Sequence, residues 1–239
     1  MTSAEVLESI CHALGLIDAR QWEAFRSYAL EPTPAHFRAR VNVIAQATEL
    51  NGMTLLHAVV RCNPPIDLVL DMLEMCPELI GTRDSLGRTP LHVATGSVAS
   101  PDLIKILAHV CPTACDTQDI DGKTPLHFAC DSSRVLFESD ITGETMALRQ
   151  PCHDSIRALL SESIAAVTIE DVTEMCPLEY AIMSNALPKT VKLLQHAAVR
   201  YLRGPGVTRS VTLGVPKSTE AEDNSCDVSM REESDRTLI

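Results

Sequence analysis

An eight-residue block returns three times at a fixed step of 35. Gly52-Met-Thr-Leu-Leu-His-Ala-Val59, Gly87-Arg-Thr-Pro-Leu-His-Val-Ala94 and Gly122-Lys-Thr-Pro-Leu-His-Phe-Ala129 keep Gly, Thr, Leu and His in register. A period of this length makes each repeat one supersecondary unit, which cannot bury its apolar face alone and does so against its neighbours. The block also reads as the start of a helix. Thr89 and Thr124 suit the N-cap, and Pro90 and Pro125 the first helical position, where no N–H is needed. Asp84 and Asp119 stand three residues before Gly87 and Gly122, a spacing that fits a tight turn with positive φ at the glycine.

A second helix follows each block. Asp67, Asp102 and Asp154 open it, and from these aspartates to Pro90, Pro125 and Pro177 the step is 23 each time. That agreement adds a fourth unit, whose block is worn to Cys176-Pro-Leu-Glu-Tyr-Ala181. Thr and His are replaced there, which puts its cap hydrogen bonds in question. Its second helix keeps the apolar pattern, with Val191, Leu193 and Leu194 matching Ile104, Ile106 and Leu107. The distance from block to second helix is 12 in the first two units (Leu55 to Asp67, Pro90 to Asp102) and 29 in the third (Pro125 to Asp154), so the third carries an insertion of 29 − 12 = 17 residues. It falls within Asp131 to Cys152, with a short hairpin or finger about Asp140 to Gly143. Insertions of this kind lie on one face of a repeat array, often the binding face.

The block Asp-x-x-Gly-x-Thr-Pro-Leu-His-x-Ala resembles the ankyrin repeat. That resemblance implies an all-α, ankyrin-type repeat solenoid of stacked antiparallel helix pairs joined by tight turns. The expected organisation is a helical N-terminal cap over 1–50 with one degenerate repeat, then units at about 51–85, 86–120, 121–172 (insertion near 131–152) and 173–202, the last a degenerate C-terminal cap. Residues 203–239 are expected to be a disordered acidic tail, because Ser, Thr, Glu and Asp dominate and too little apolar surface is present to offset the ordering entropy. The last three residues, Thr237 to Ile239, fit a C-terminal peptide that adds as a strand to a PDZ-type groove. Such a tail would make the chain an adaptor that recruits a second protein.

The resemblance further implies a protein partner held in the concave groove, touched by turn tips and the exposed end of each first helix. Carried over position by position, the protein-binding candidates are Leu50, Asn51, Met53 and Arg61 in the first unit; Ser85, Leu86, Arg88 and Ser97 in the second; Ile120, Asp121, Lys123 and Ser132 in the third. Leu50, Leu86 and Ile120 are read as one apolar column at the tips, with Arg61, Arg88 and Lys123 beside it to meet acidic groups. The repeated His57, His92 and His127 take a structural role under the same resemblance, hydrogen-bonded to backbone near the turn. Their copies stand a helix-pair apart along a stack, too far for one metal ion.

Composition narrows the function classes. A formal net charge of −12 and the lack of a long basic run argue against nucleic acid or an anionic membrane as main partner. No apolar run of about 18 residues is present and Glu5 and Glu8 interrupt the N-terminus, so neither a transmembrane helix nor a signal peptide is expected. Nine cysteines, an odd and scattered set, fit a reducing intracellular compartment, cytoplasmic or nuclear. Cys76 and Cys111, 35 apart, are expected as small buried residues. Cys111 and Cys115 lack a second pair at zinc spacing, and no phosphate-binding, metalloprotease or nucleophile-elbow motif occurs. No catalytic residue, metal or cofactor is therefore expected. The rival of a different class is a thiol-dependent enzyme or redox sensor built on Cys152 and His153.

Overall fold

The chain is helical throughout its described residues, which in the computed structural model are 3–30, 52–133, 136 and 150–204. All of them belong to one compact unit, Met1–Val207. The hairpin expected at Asp140 to Gly143, most of the insertion, residues 31–51 of the cap and the tail from 205 lie outside the described residues.

Two helices open the chain, α1 (Ser3–Asp18) and α2 (Trp22–Ala29). Ile10, Ala13 and Ile17 share one face of α1 by the three- and four-residue spacing of a helix, and are buried with Phe25 and Ala29 of α2. Arg26 ties this pair to the next unit through ion pairs with Asp67, at 2.6 Å, and Asp71.

Four helix pairs follow. The first helices are α3 (Leu55–Arg61), α5 (Pro90–Gly96), α7 (Pro125–Cys130) and α9 (Pro177–Met183). The second helices are α4 (Ile66–Met75), α6 (Pro101–Val110), α8 (His153–Glu162) and α10 (Pro188–Arg203). Each first helix packs on the next, α3 on α5, α5 on α7 and α7 on α9, while α6 packs on α8 and α8 on α10. Between them run the buried side chains: Leu56, Leu91 and Leu126 from the repeated block, then Leu68, Leu103, Ile156 and Leu194 from the second helices. Short 3₁₀ turns at Pro77–Gly81, Pro112–Asp116 and Ala165–Thr168 close the first three second helices, each burying two side chains of the core.

The ends of the row differ for a physical reason. Leu194 is fully buried, but Val191 is only half-buried where its inner counterpart Ile104 is buried, since no further described helix packs on α10; Leu193 is half-buried as Ile106 is. Cys76 is buried as its repeat position suggests. Cys111 is not; it stays half-exposed, with Sγ 3.4 Å from the Thr113 hydroxyl.

Candidate functional site

The repeated histidine is the hinge between one unit and the next. Thr54, Thr89 and Thr124 cap their helices from an extended backbone, each in a capping box with the histidine three residues on. The Nδ1 atoms of His57, His92 and His127 accept the backbone N–H of those threonines at 3.1, 3.0 and 3.0 Å. An acceptor Nδ1 leaves the proton on Nε2, and Nε2 donates to a carbonyl of the following unit: Arg88 at 3.0 Å, Lys123 at 3.1 Å and Met175 at 3.1 Å. All three rings are buried. Burial holds the His57 pKa below its ordinary value, against the opposing pull of its hydrogen bond to Arg88 and the nearby Asp84 carboxylate. The histidines thus hydrogen-bond backbone near the turns, as the resemblance implied, and in doing so they join one unit to the next.

In the fourth unit the cap hydrogen bonds survive with other residues. Cys176 takes the N-cap, and Glu179 Oε2 accepts its N–H at 2.7 Å. Glu179 stands where the first three units carry histidine, and the Glu of a capping box makes the same reach.

The turns are built alike. In each, an aspartate Oδ1 accepts two backbone N–H groups, from Leu86 and Arg88 onto Asp84, Asp121 and Lys123 onto Asp119, Thr173 and Met175 onto Asp171. Gly52, Gly87 and Gly122 have φ of 70°, 73° and 76°, and a Cβ there would press within 3.0 to 3.3 Å of the next turn's backbone. In the fourth turn Glu174 adopts φ 61° without that freedom. Burial works against ionised Asp171, yet hydrogen bonds from Thr173, Tyr180 and Met175 hold its carboxyl well below the usual carboxylate range.

Successive turns are stitched by backbone. Ile120 N–H donates to the Leu86 carbonyl at 3.0 Å, and Val172 N–H to the Asp121 carbonyl at 2.9 Å. Leu86, Ile120 and Val172 are 41%, 61% and 68% exposed. These three apolar side chains therefore follow one another along the tips. Leu86 and Ile120 do not hold equivalent register positions, contrary to the single column expected: Ile120 and Val172 directly follow their aspartates, whereas Leu86 comes two after Asp84. The cross-unit hydrogen bond, not the repeat register, makes them neighbours.

Other expected site residues separate. Arg88 is a correction: it is 5% exposed, with Nε and Nη2 each 2.7 Å from Asp84 Oδ2, so its charge is spent inside the turn. Lys123 is half-buried, 3.8 Å from Asp131 Oδ2 and 4.4 Å above the Tyr180 ring. Ser85 and Asp121 are exposed at the tips; Met53, Arg61, Ser97 and Ser132 are half-buried. The Ser132 N–H donates to Ser184 Oγ at 2.9 Å, and the Ser97 hydroxyl is buried with no partner among the described residues. Leu50 and Asn51 lie outside the described residues. Leu136 of the insertion crosses close above Gly96, where a Cβ would come within 2.5 Å of its Cδ1.

Val172 was missed by sequence reasoning. The signal was present, since Asp171 follows Asp119 by 52, which is the step of 35 plus the 17-residue insertion. Glu174 in place of glycine hid the turn.

Cys152 caps α8 and is half-buried, and the His153 ring lies 3.3 Å from the Thr190 hydroxyl. Burial pushes the Cys115 thiol up to about 12 and the Cys130 thiol higher still, which disfavours the reactive thiolate at both. No group of three or more His, Cys, Asp or Glu side chains gathers at metal-binding distance among the described residues, and no helix among them is long and apolar enough to cross a membrane.

Fold and site together define an all-helical protein of paired helices joined through capped, mutually bonded turns. Comparison with family models and with curated proteins finds no match to this chain.

Proposed function

We propose that the chain is a non-enzymatic recognition module of the ankyrin-repeat type, which binds another protein along the row of turn tips. One observation carries this reading: Leu86, Ile120 and Val172 stand exposed in sequence along the tips while backbone hydrogen bonds, Ile120 to Leu86 and Val172 to Asp121, tie each turn to the next. Contiguous exposed apolar surface rimmed by polar groups favours a protein partner, here with Ser85 and Asp121 at the rim. Because Asp84, Asp119 and Asp171 already fix the turns, a partner orders little of the surface it meets. Preorganisation of this kind keeps the conformational cost of association low.

The test is affinity capture with the wild type beside Ile120→Asp and Val172→Asp. Both positions are more than half exposed, so both variants are expected to melt with the wild type by circular dichroism and to lose the same captured proteins. Capture by both variants at the wild-type level overturns the reading.

A further inference from the structure

The terminal helix α10 differs from its counterparts in charge. α4, α6 and α8 each place an aspartate in the first turn, Asp67, Asp102 and Asp154, where a carboxylate meets the positive end of the helix dipole. α10 contains no acidic residue, and the equivalent position after Pro188 is Lys189. Lys192, His196, Arg200 and Arg203 follow at steps of three, four, four and three. Those steps put all five on one helix face, and all five are exposed. At 1.5 Å per residue the row runs about 20 Å. Its opposite face buries Thr190, Leu194 and Ala197 in the fold. The ion pairs of the described residues use Arg26, Arg88, His109, Lys123 and Arg157, and none reaches α10. Beside the row stand Val199 and Leu202, both exposed.

Helix stability does not account for this arrangement. Arg200 and Arg203 favour the C-terminal end of the dipole, but Lys189 and Lys192 oppose it at the other end, and like charges at three- and four-residue spacing repel. Lys189 and Lys192 thus stand against the dipole of their own helix, on a row of cations in a chain whose formal net charge is −12.

We propose that this face of α10 docks an acidic amphipathic segment of a partner protein. Carboxylates at helical spacing on that segment meet Lys189, Lys192, Arg200 and Arg203, and its apolar residues cover Val199 and Leu202. A segment matched to the helix meets the cations alone, because charges beyond about 8 Å are screened at physiological salt. A flat anionic surface would also meet the surrounding acidic protein. The site uses none of the tip residues, so it stands apart from the function proposed above.

The experiment titrates the full chain against a fluorescein-labelled synthetic peptide, matched in length to α10, with Glu and Leu at alternating three- and four-residue steps. Fluorescence anisotropy reads binding. A peptide with Lys for every Glu, mixed phosphatidylcholine–phosphatidylserine vesicles and a single-stranded DNA are the comparison arms. The Glu peptide is expected to bind and the Lys peptide not. The combined variant Lys189→Gln, Lys192→Gln, Arg200→Gln, Arg203→Gln is expected to weaken the complex about tenfold or more, as lost charge pairs do. Should that variant fail to melt cooperatively, Lys189→Asp alone, which restores the residue type of the other second helices, serves in its place with a smaller loss. The proposal is overturned if the Glu peptide does not bind, if it binds these variants as tightly as the wild type, or if vesicles or DNA compete it off through the same cations.

Discussion

His57, His92 and His127 each do two jobs with one ring, accepting at Nδ1 inside their own unit and donating at Nε2 to the next. At His57, protonation of Nδ1 would set a proton against the Thr54 N–H that points at it, so the folded state resists the charged form there. For His57, where the lowered pKa is resolved, the sign follows: the unfolded chain binds the proton near pH 6.5 and the folded chain only below that. Stability is full above about 6.5 and falls as pH drops through the window beneath it. Urea titrations at pH 7.5 and 5.5 should show a smaller loss for His57→Gln than for the wild type, by up to about 1.4 kcal/mol per pH unit; equal losses would dissociate His57 from the effect. Backbone strain makes a second residue-scale prediction. Glu174 (φ 61°) and Val98 (φ 56°) sit in the left-handed region, Val98 with a branched Cβ. Glu174→Gly and Val98→Gly should each raise stability by about 0.5–1 kcal/mol, read as a higher urea midpoint at constant slope.

Among the elements, the first helices carry the interface between units. Leu91 on α5 and Leu126 on α7 have no exposed surface. Leu91→Ala and Leu126→Ala should each cost about 2–5 kcal/mol in denaturant titration, and a value within error of wild type would remove these leucines from the packing. Their helices were legible from Thr-Pro-Leu-His because a cap, a proline and an apolar position are local signals that hold whatever surrounds them. The worn fourth block was harder to read. Cys176 and Glu179 rebuild the capping box with different atoms, and no regularity of the repeat announces the substitution. Arg88 was misjudged for a related reason: a cation at a turn tip reads as exposed until its distance to Asp84 is known.

Along the described residues, cohesion passes from unit to unit through histidine–carbonyl bonds, stitched turns and the leucine row, as far as α10. Amide exchange followed by mass spectrometry is expected to be slowest in α5 and α7, each packed on a first helix at both sides, and fastest in the last turn of α10, with Val199, Arg200, Leu202 and Arg203 exposed. Uniform protection along the row would contradict this gradient. The period of 35, the helix starts, the 17-residue insertion and the fourth unit were determined by sequence alone, because each rests on spacing and local backbone preference. Which side chains face outward was decided by tertiary structure. Arg88 turned in to Asp84, Val172 joined Leu86 and Ile120 along the tips, and the α10 cations met no carboxylate among the described residues, since exposure depends on what the neighbouring unit presents and a single repeat does not encode its neighbour.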